Sequence, residues 1–221
     1  MVTPSDDREQ RAAQYAALGE PARLAIVESL TVSDRSPSDL ARDLGLRSNL
    51  LAHHLDVLED AGLVERFASA GDGRRRYVRG VRSRLAALGV RAERTPDRQV
   101  VFVCSQNSAR SQLAAAIWTA RTGSDATSAG TRPADRVHPG AVAAAERAGL
   151  DLTHATPALI APSQLDAFVV TVCDNAREEL DARSSWWHWS VPDPVAVGTD
   201  EAFDAALTEL GRRMDALATP T

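Results

Sequence analysis

The chain has 221 residues, 44% of them hydrophobic, and a formal net charge of −5, which is enough material for two modest domains, each with its own core. Its two cysteines, Cys104 and Cys173, are too few for a secreted disulfide scaffold and point to redox or nucleophilic thiol chemistry in a reducing compartment. No apolar run approaches the roughly 20 residues of a membrane span, and the N-terminus lacks the basic and apolar regions of a signal peptide, so a cytoplasmic protein with no membrane partner is expected.

Residues 1–9 read as a flexible tail. Over residues 10–30 apolar side chains recur at helical spacing, and Pro21, after Gly19-Glu20, starts a second helix. Residues 36–44 read as a short capped helix, Gly45-Leu46 as a turn, and Arg47-Ser48-Asn49 as the start of a further helix reaching Asp60. Helix, Gly-containing turn and second helix form a helix-turn-helix pattern. Strand-like Leu63-Val64-Glu65-Arg66-Phe67, a turn at Gly71-Asp72-Gly73 and the return Arg74-Arg75-Arg76-Tyr77-Val78 then make a hairpin wing. Leu24, Ile26, Leu40, Leu44, Leu55 and Leu58 are the predicted core. Charge is uneven: residues 1–97 carry 15 Arg against 15 acids, 98–221 carry 10 against 15, and residues 66–84 hold seven Arg and one acid, Asp72. A local basic strip matters more for nucleic-acid contact than the global sum.

Ala17-Leu18-Gly19-Glu20-Pro21-Ala22-Arg23-Leu24, followed by residues 53–64 from His53-His54-Leu55 to Gly62-Leu63-Val64, resembles the ArsR-type winged-helix repressors over residues 10–84. The resemblance implies a homodimer formed through the N-terminal domain, with residues 15–18 and 85–88 as candidates for the contact, and a double-stranded DNA operator as partner. Arg47, Ser48, Asn49 and His53 would face the major groove, and Arg74, Arg75 and Arg76 phosphate or the minor groove. Arsenic-sensing members commonly use clustered cysteines; this half has none, and adjacent His53 and His54 point about 100° apart on a helix. No metalloid site is expected here. Residues 85–97 begin as a helix and end as a linker to a second domain at 98–221.

In that second half, strands at residues 100–103, 126–129 and 168–172 alternate with helices at 111–122, 139–148 and 199–217. This is the order of a parallel sheet with helices on both faces, whose sites lie at the carboxyl ends of the strands. The first strand runs into Cys104-Ser105-Gln106-Asn107-Ser108-Ala109-Arg110-Ser111 and then a helix. A tight loop feeding a helix N-terminus aims backbone N–H groups at one spot, where the helix dipole adds positive potential. Cys104 at the mouth of that cradle is expected to react as its thiolate. Arg110 can grip two oxygens of a tetrahedral oxyanion, and the Ser111 hydroxyl can donate to the sulfur. The bland alternative is a buried cysteine ending a core strand. Cys173 also follows a strand directly, so both thiols can reach one edge of the sheet.

The loop resembles that of the low-molecular-weight phosphatase family and, within it, the arsenate reductases, and the resemblance runs to the C-terminus. It implies that Ser105, Gln106, Asn107, Ser108, Ala109 and Arg110 bind the oxyanion and that Cys104 is the nucleophile. Val172-Cys173-Asp174-Asn175 resembles the segment carrying the redox cysteine, and Trp187-His188-Trp189-Ser190-Val191-Pro192-Asp193-Pro194 the general-acid segment, with Asp193 as acid. Tyrosine phosphatases of this class usually carry Pro after Arg-Ser and an aromatic residue after Asp-Pro; Gln112 and Val195 stand there, which fits the reductases better. The third cysteine of thioredoxin-coupled reductases is replaced by Leu180. Acidic residues that hold a monovalent cation in some relatives are replaced by Ala115 and Ala158, so no bound metal is expected.

The expected protein is therefore α/β, an N-terminal winged helix-turn-helix domain followed by a parallel-sheet α/β low-molecular-weight phosphatase-like domain. It would reduce arsenate with no bound cofactor, using an external thiol from thioredoxin, glutaredoxin, mycothiol or glutathione. A tyrosine phosphatase with a DNA-binding domain and a non-catalytic oxyanion-sensing repressor are the alternatives.

Overall fold

The computed structural model describes residues 4–91, 98–180 and 185–215. The chain divides into two compact units, one of residues 1–69 and 73–93 and the other of residues 70–72 and 94–221; each is taken by itself.

The N-terminal unit begins with α1 (Pro4–Leu18) and α2 (Pro21–Val32). The expected tail is thus, from Pro4 onward, the first turns of α1. Pro21 opens α2 because a first-turn residue needs no N–H, and Glu20 caps it by accepting the Arg23 N–H at 2.9 Å. Ser36 caps α3 (Pro37–Asp43) through the Asp39 N–H at 3.1 Å, and Arg47 precedes α4 (Ser48–Asp60). At the end of α4, Gly62 adopts φ +68° and Leu63 donates back to the Leu58 carbonyl at 2.9 Å, a left-handed glycine stop that swings the chain into the wing. The wing pairs β1 (Val64–Ala68) antiparallel with β2 (Arg76–Gly80), and α5 (Arg82–Ala87) follows. The return strand therefore starts at Arg76, leaving Arg74 and Arg75 in the turn. Ile26, Leu30, Leu40, Leu51, Leu55, Leu58, Leu63 and Leu85 form the core. Two predicted core residues differ: Leu24 is 36% exposed and Leu44 is half-buried, because the buried stripe of α2 runs through Ile26, Val27 and Leu30 instead. The latter part of the expected linker, residues 92–97, lies outside the described residues.

The C-terminal unit is a four-stranded parallel sheet, order β4-β3-β5-β6, with β3 (Val100–Cys104), β4 (Ala126–Gly130), β5 (Phe168–Thr171) and β6 (Trp187–His188). All five residues of β3 are buried, as a central strand flanked on both sides requires. Its helices are α6 (Arg110–Thr122), α7 (Pro139–Arg147), α8 (Asp174–Glu179), α9 (Pro194–Val197) and α10 (Asp200–Asp215), with a 3₁₀ turn at Pro162–Asp166. The sequence reading missed β6, α8 and α9, which are two, six and four residues long and show too little of any period to register. A row of rings crosses the core: Phe102 lies 6.0 Å from Trp118 and 5.8 Å from Trp189, centroid to centroid. The register sets Cys104 opposite Gly130 and Val103 opposite Thr171, so the chain leaves β3 and β5 side by side at the same edge.

Candidate active site

The loop from β3 to α6 curls because Asn107 takes φ +49°, the one non-glycine residue at positive φ among the described residues. Asparagine tolerates that region better than most side chains. Its N–H then points at Cys104 Sγ, 3.2 Å away, and the Ser111 hydroxyl lies 3.0 Å from the same sulfur. Asn107 is wholly buried. Its Nδ2 donates to Ser111 Oγ at 2.8 Å and to Ser128 Oγ at 2.9 Å, and its Oδ1 accepts the Ala158 N–H at 2.9 Å.

What makes the loop a cradle is where its carbonyls go. Those of Cys104, Ser105, Gln106 and Ser108 accept N–H groups from Thr131 (3.3 Å), Arg132 (2.8 Å), Ala134 (2.9 Å) and His138 (2.8 Å). In a planar trans peptide the N–H opposes the carbonyl, so outward carbonyls turn the following N–H groups inward. The chain after β4 is thus a scaffold for the loop. Gly130 starts it, and a Cβ there would sit 2.7 Å from Ser105 O and 3.0 Å from Asn107 Cβ.

The concavity has a volume of about 190 Å³ and is lined by Cys104, Ser105, Gln106, Ser108, Ala109, Arg110, Arg132, Asn175, Asp193 and Val195. Arg110 opens α6 and donates through Nη1 to Val191 O at 3.0 Å and through Nη2 to Asp193 Oδ2 at 2.8 Å. Asp193 caps α9 by accepting the Val195 N–H at 3.1 Å. Cation and carboxylate are therefore paired with each other in the cavity lining, the carboxylate more exposed than the cation.

Cys173 is 1% exposed and caps α8, its sulfur 3.4 Å from the Ala176 N–H and 3.5 Å from Ser105 Oγ. Burial pushes its thiol up, and the charge on Cys104 adds to this, against opposing pulls from Arg110, the Ala176 N–H and the Ser105 hydroxyl. Next to it, Asp174 is held below the ordinary carboxylate range. Burial acts upward there but is outweighed by the bond to His188 (3.1 Å), the charge of that ring and the Ser190 hydroxyl. His188 is completely buried, with its Nδ1 2.9 Å from Thr171 Oγ1.

The structure thus brings Cys104, Ser105, Asn107, Ser108, Ala109, Arg110, Ser111, Cys173 and Asp193 to one place, with Gln106 exposed at the rim. In the N-terminal unit Arg47, Ser48, Asn49 and His53 are exposed at and along the start of α4, and His54 is buried. Arg74, Arg75 and Arg76 are exposed on the wing. The basic strip is less available than its arginine count implies. Arg66 is paired with Asp56 (2.6 Å) and Glu59 (2.5 Å), Arg84 donates to Gly62 O (2.8 Å), and Arg79 and Arg82 turn toward buried Asp34. Sequence reading missed the scaffold at residues 131–138, whose donors are backbone groups with no side-chain signature. It marks Gln112 as fitting the reductases and misses that Gln112 and Ser128 are polar partners of the buried Asn107.

Comparison with known proteins falls on the same two segments. Residues 99–220 match the family described as low molecular weight phosphotyrosine protein phosphatase, and residues 18–66 match a helix-turn-helix domain. An arsenate reductase of Bacillus licheniformis is 31% identical over 133 residues, 55% of this chain and 95% of that protein. Among solved structures, an arsenate reductase in the phosphate binding state is 27% identical, with a TM-score of 0.47, over 54% of this chain and 95% of that one. The YwlE arginine phosphatase from Geobacillus stearothermophilus is 23% identical, with a TM-score of 0.49, over 55% and 90%.

Proposed function

Since this chain belongs, through residues 99–220, to the low molecular weight phosphotyrosine protein phosphatase family, we propose that its activity is thiol-dependent reduction of arsenate, joined to an N-terminal helix-turn-helix domain that binds operator DNA as an ArsR-type regulator. The observation that carries the enzymatic reading is the second thiol. Phosphoryl transfer needs one nucleophilic sulfur, a cradle and an acid. Here Cys173 stands beside that machinery, within 3.5 Å of the Ser105 hydroxyl in the loop itself. The 31% identity to an arsenate reductase supports the same reading.

In the proposed cycle the inward N–H groups and Arg110 take arsenate, which draws Arg110 from Asp193. The Cys104 sulfur attacks arsenic and forms an S–As bond. One oxygen leaves as water, protonated by Asp193, a contribution typically of order 10²–10⁴ in rate. A second thiol then attacks the Cys104 sulfur. The S–S bond forms, the S–As pair passes to arsenic, As(V) becomes As(III), and arsenite departs. Cys173 is the internal candidate for that thiol. Its proton is easier to remove once the charge on Cys104 is taken up in the S–As bond. An external thiol or thiol-disulfide reductase, of the thioredoxin, glutaredoxin, mycothiol or glutathione type, restores the enzyme.

The test is arsenite release from arsenate with each donor system, using the intact protein and its Cys104→Ser and Cys173→Ser variants. Turnover abolished by Cys104→Ser supports the reading. Hydrolysis of an aryl phosphate with no arsenate turnover under any donor makes the protein a phosphatase instead.

A further inference from the structure

Five successive loop carbonyls turn away from the cavity, and they are not all held alike. Those of Cys104, Ser105, Gln106 and Ser108 rest on backbone N–H groups of residues 131–138, whereas the carbonyl of Asn107 is met by a side chain, Gln112 Nε2, at 3.1 Å. The same nitrogen faces Asn107 Oδ1 at 3.2 Å and Thr156 O at 3.2 Å, in a position where Gln112 is 6% exposed. Three acceptors around one terminal atom fix that atom as the amide nitrogen. Its two hydrogens serve three oxygens, so one is shared.

We propose that Gln112 is a positioning residue of the anion cradle. By holding the peptide between Asn107 and Ser108 with its carbonyl outward, it keeps the Ser108 N–H aimed at the bound oxyanion. By tying Asn107 Oδ1 as well, it keeps Asn107 at the positive φ that directs its own N–H to Cys104. Without Gln112, the buried Asn107 carbonyl is left facing the Thr156 carbonyl and its own Oδ1 with no side-chain donor among them, and the peptide rotates to find one, carrying the Ser108 N–H out of the cavity. The helix places Gln112 for this: position 112 lies one residue past the hydroxyl that meets Cys104, on the turn that faces back over the loop.

The proposal rests on the part of the function above that reduction and phosphoryl transfer share, oxyanion binding. Its test therefore uses inorganic phosphate and no turnover, so that failure of the reductase reading leaves it standing. Phosphate is titrated calorimetrically into the full chain and into Gln112→Met, at constant ionic strength in tetramethylammonium chloride and again in ammonium chloride. The expected result is affinity about tenfold weaker in Gln112→Met, recovered at least in part when ammonium supplies the missing N–H groups, with the wild type changing by less than about twofold. Wild-type affinity in Gln112→Met, or a loss that ammonium leaves untouched, overturns it. Should Gln112→Met not fold, Gln112→Glu puts a carboxylate among the three oxygens. Its unfolding temperature should climb in ammonium while that of the wild type stays level, and an equal response in both overturns the proposal.

Discussion

Every polar atom of Asn107 is committed: its N–H to Cys104, its carbonyl to Gln112, its Oδ1 to Ala158 and Gln112, its Nδ2 to Ser111 and Ser128. With Asn107 Nδ2 donating to it, the Ser111 hydroxyl has its own proton left for the sulfur at 3.0 Å. Ser111→Ala should therefore lower the rate of Cys104 alkylation and of turnover by roughly ten- to a hundredfold, the range for a lost hydrogen bond to a charged group. A stopped-flow comparison at one pH checks this, and an unchanged alkylation rate would remove Ser111 from the mechanism. Asp193→Asn should depress arsenite release by about 10²–10⁴ yet leave phosphate affinity equal or stronger, because Arg110 loses its resting partner. Weaker phosphate binding would count against that arrangement. Cys173 carries a third prediction. Part of the upward push on its thiol is the charge on Cys104, so Cys104→Ser should shift the pH profile of Cys173 alkylation toward lower pH, with burial, the larger cause, remaining. A profile that does not move would show that the two sulfurs do not sense each other.

At the scale of elements, the sequence announces the strand, loop and helix around Cys104 plainly, because β3 is a continuous apolar run and the loop carries a polar or reactive side chain at every position but Ala109. It does not announce what holds the loop. The donors of residues 131–138 are main-chain groups, and Gly130 looks like any glycine until the sheet register sets it against Cys104. Gly130→Ala would press a methyl onto backbone that cannot yield, a destabilisation of about 1–3 kcal/mol that thermal unfolding should reveal together with weakened phosphate binding. Wild-type stability in that variant would mean the loop yields after all. The short β6 escaped for a related reason: two residues carry no period, and its worth lies in carrying His188 to Asp174. Asp174 is held below the ordinary range in the folded chain, so its contribution is present above the unfolded carboxylate value near pH 4 and is lost as pH falls through the folded one. Thermal unfolding of the C-terminal unit should accordingly weaken below about pH 4. Asp174→Asn should flatten that dependence while lowering stability at neutral pH; a slope identical to the wild type would assign the acid sensitivity elsewhere.

For the molecule as a whole, net charge hides the division of labour. Counting arginines along residues 66–84 overstates the surface open to a nucleic acid, since Arg66 already pairs with two carboxylates and Arg84 with the Gly62 carbonyl, while Arg75 and Arg76 are exposed on the wing. Replacing those two wing residues with Ala should weaken duplex binding and lower the slope of log affinity against log salt by up to about 2, whereas Arg66→Ala should leave the slope unchanged. Equal slopes in all three proteins would take the wing out of the interface. The ring row across the core has a different use. Trp118 and Trp189 pack on Phe102, and the remaining tryptophans, Trp186 and Trp187, also lie in the C-terminal unit, while the N-terminal unit has the tyrosines Tyr15 and Tyr77. Red-edge ultraviolet excitation therefore lights one half of the chain and leaves the other dark. The indoles are a reporter already installed, able to follow the oxyanion site in the intact protein, with or without DNA present, and needing no label.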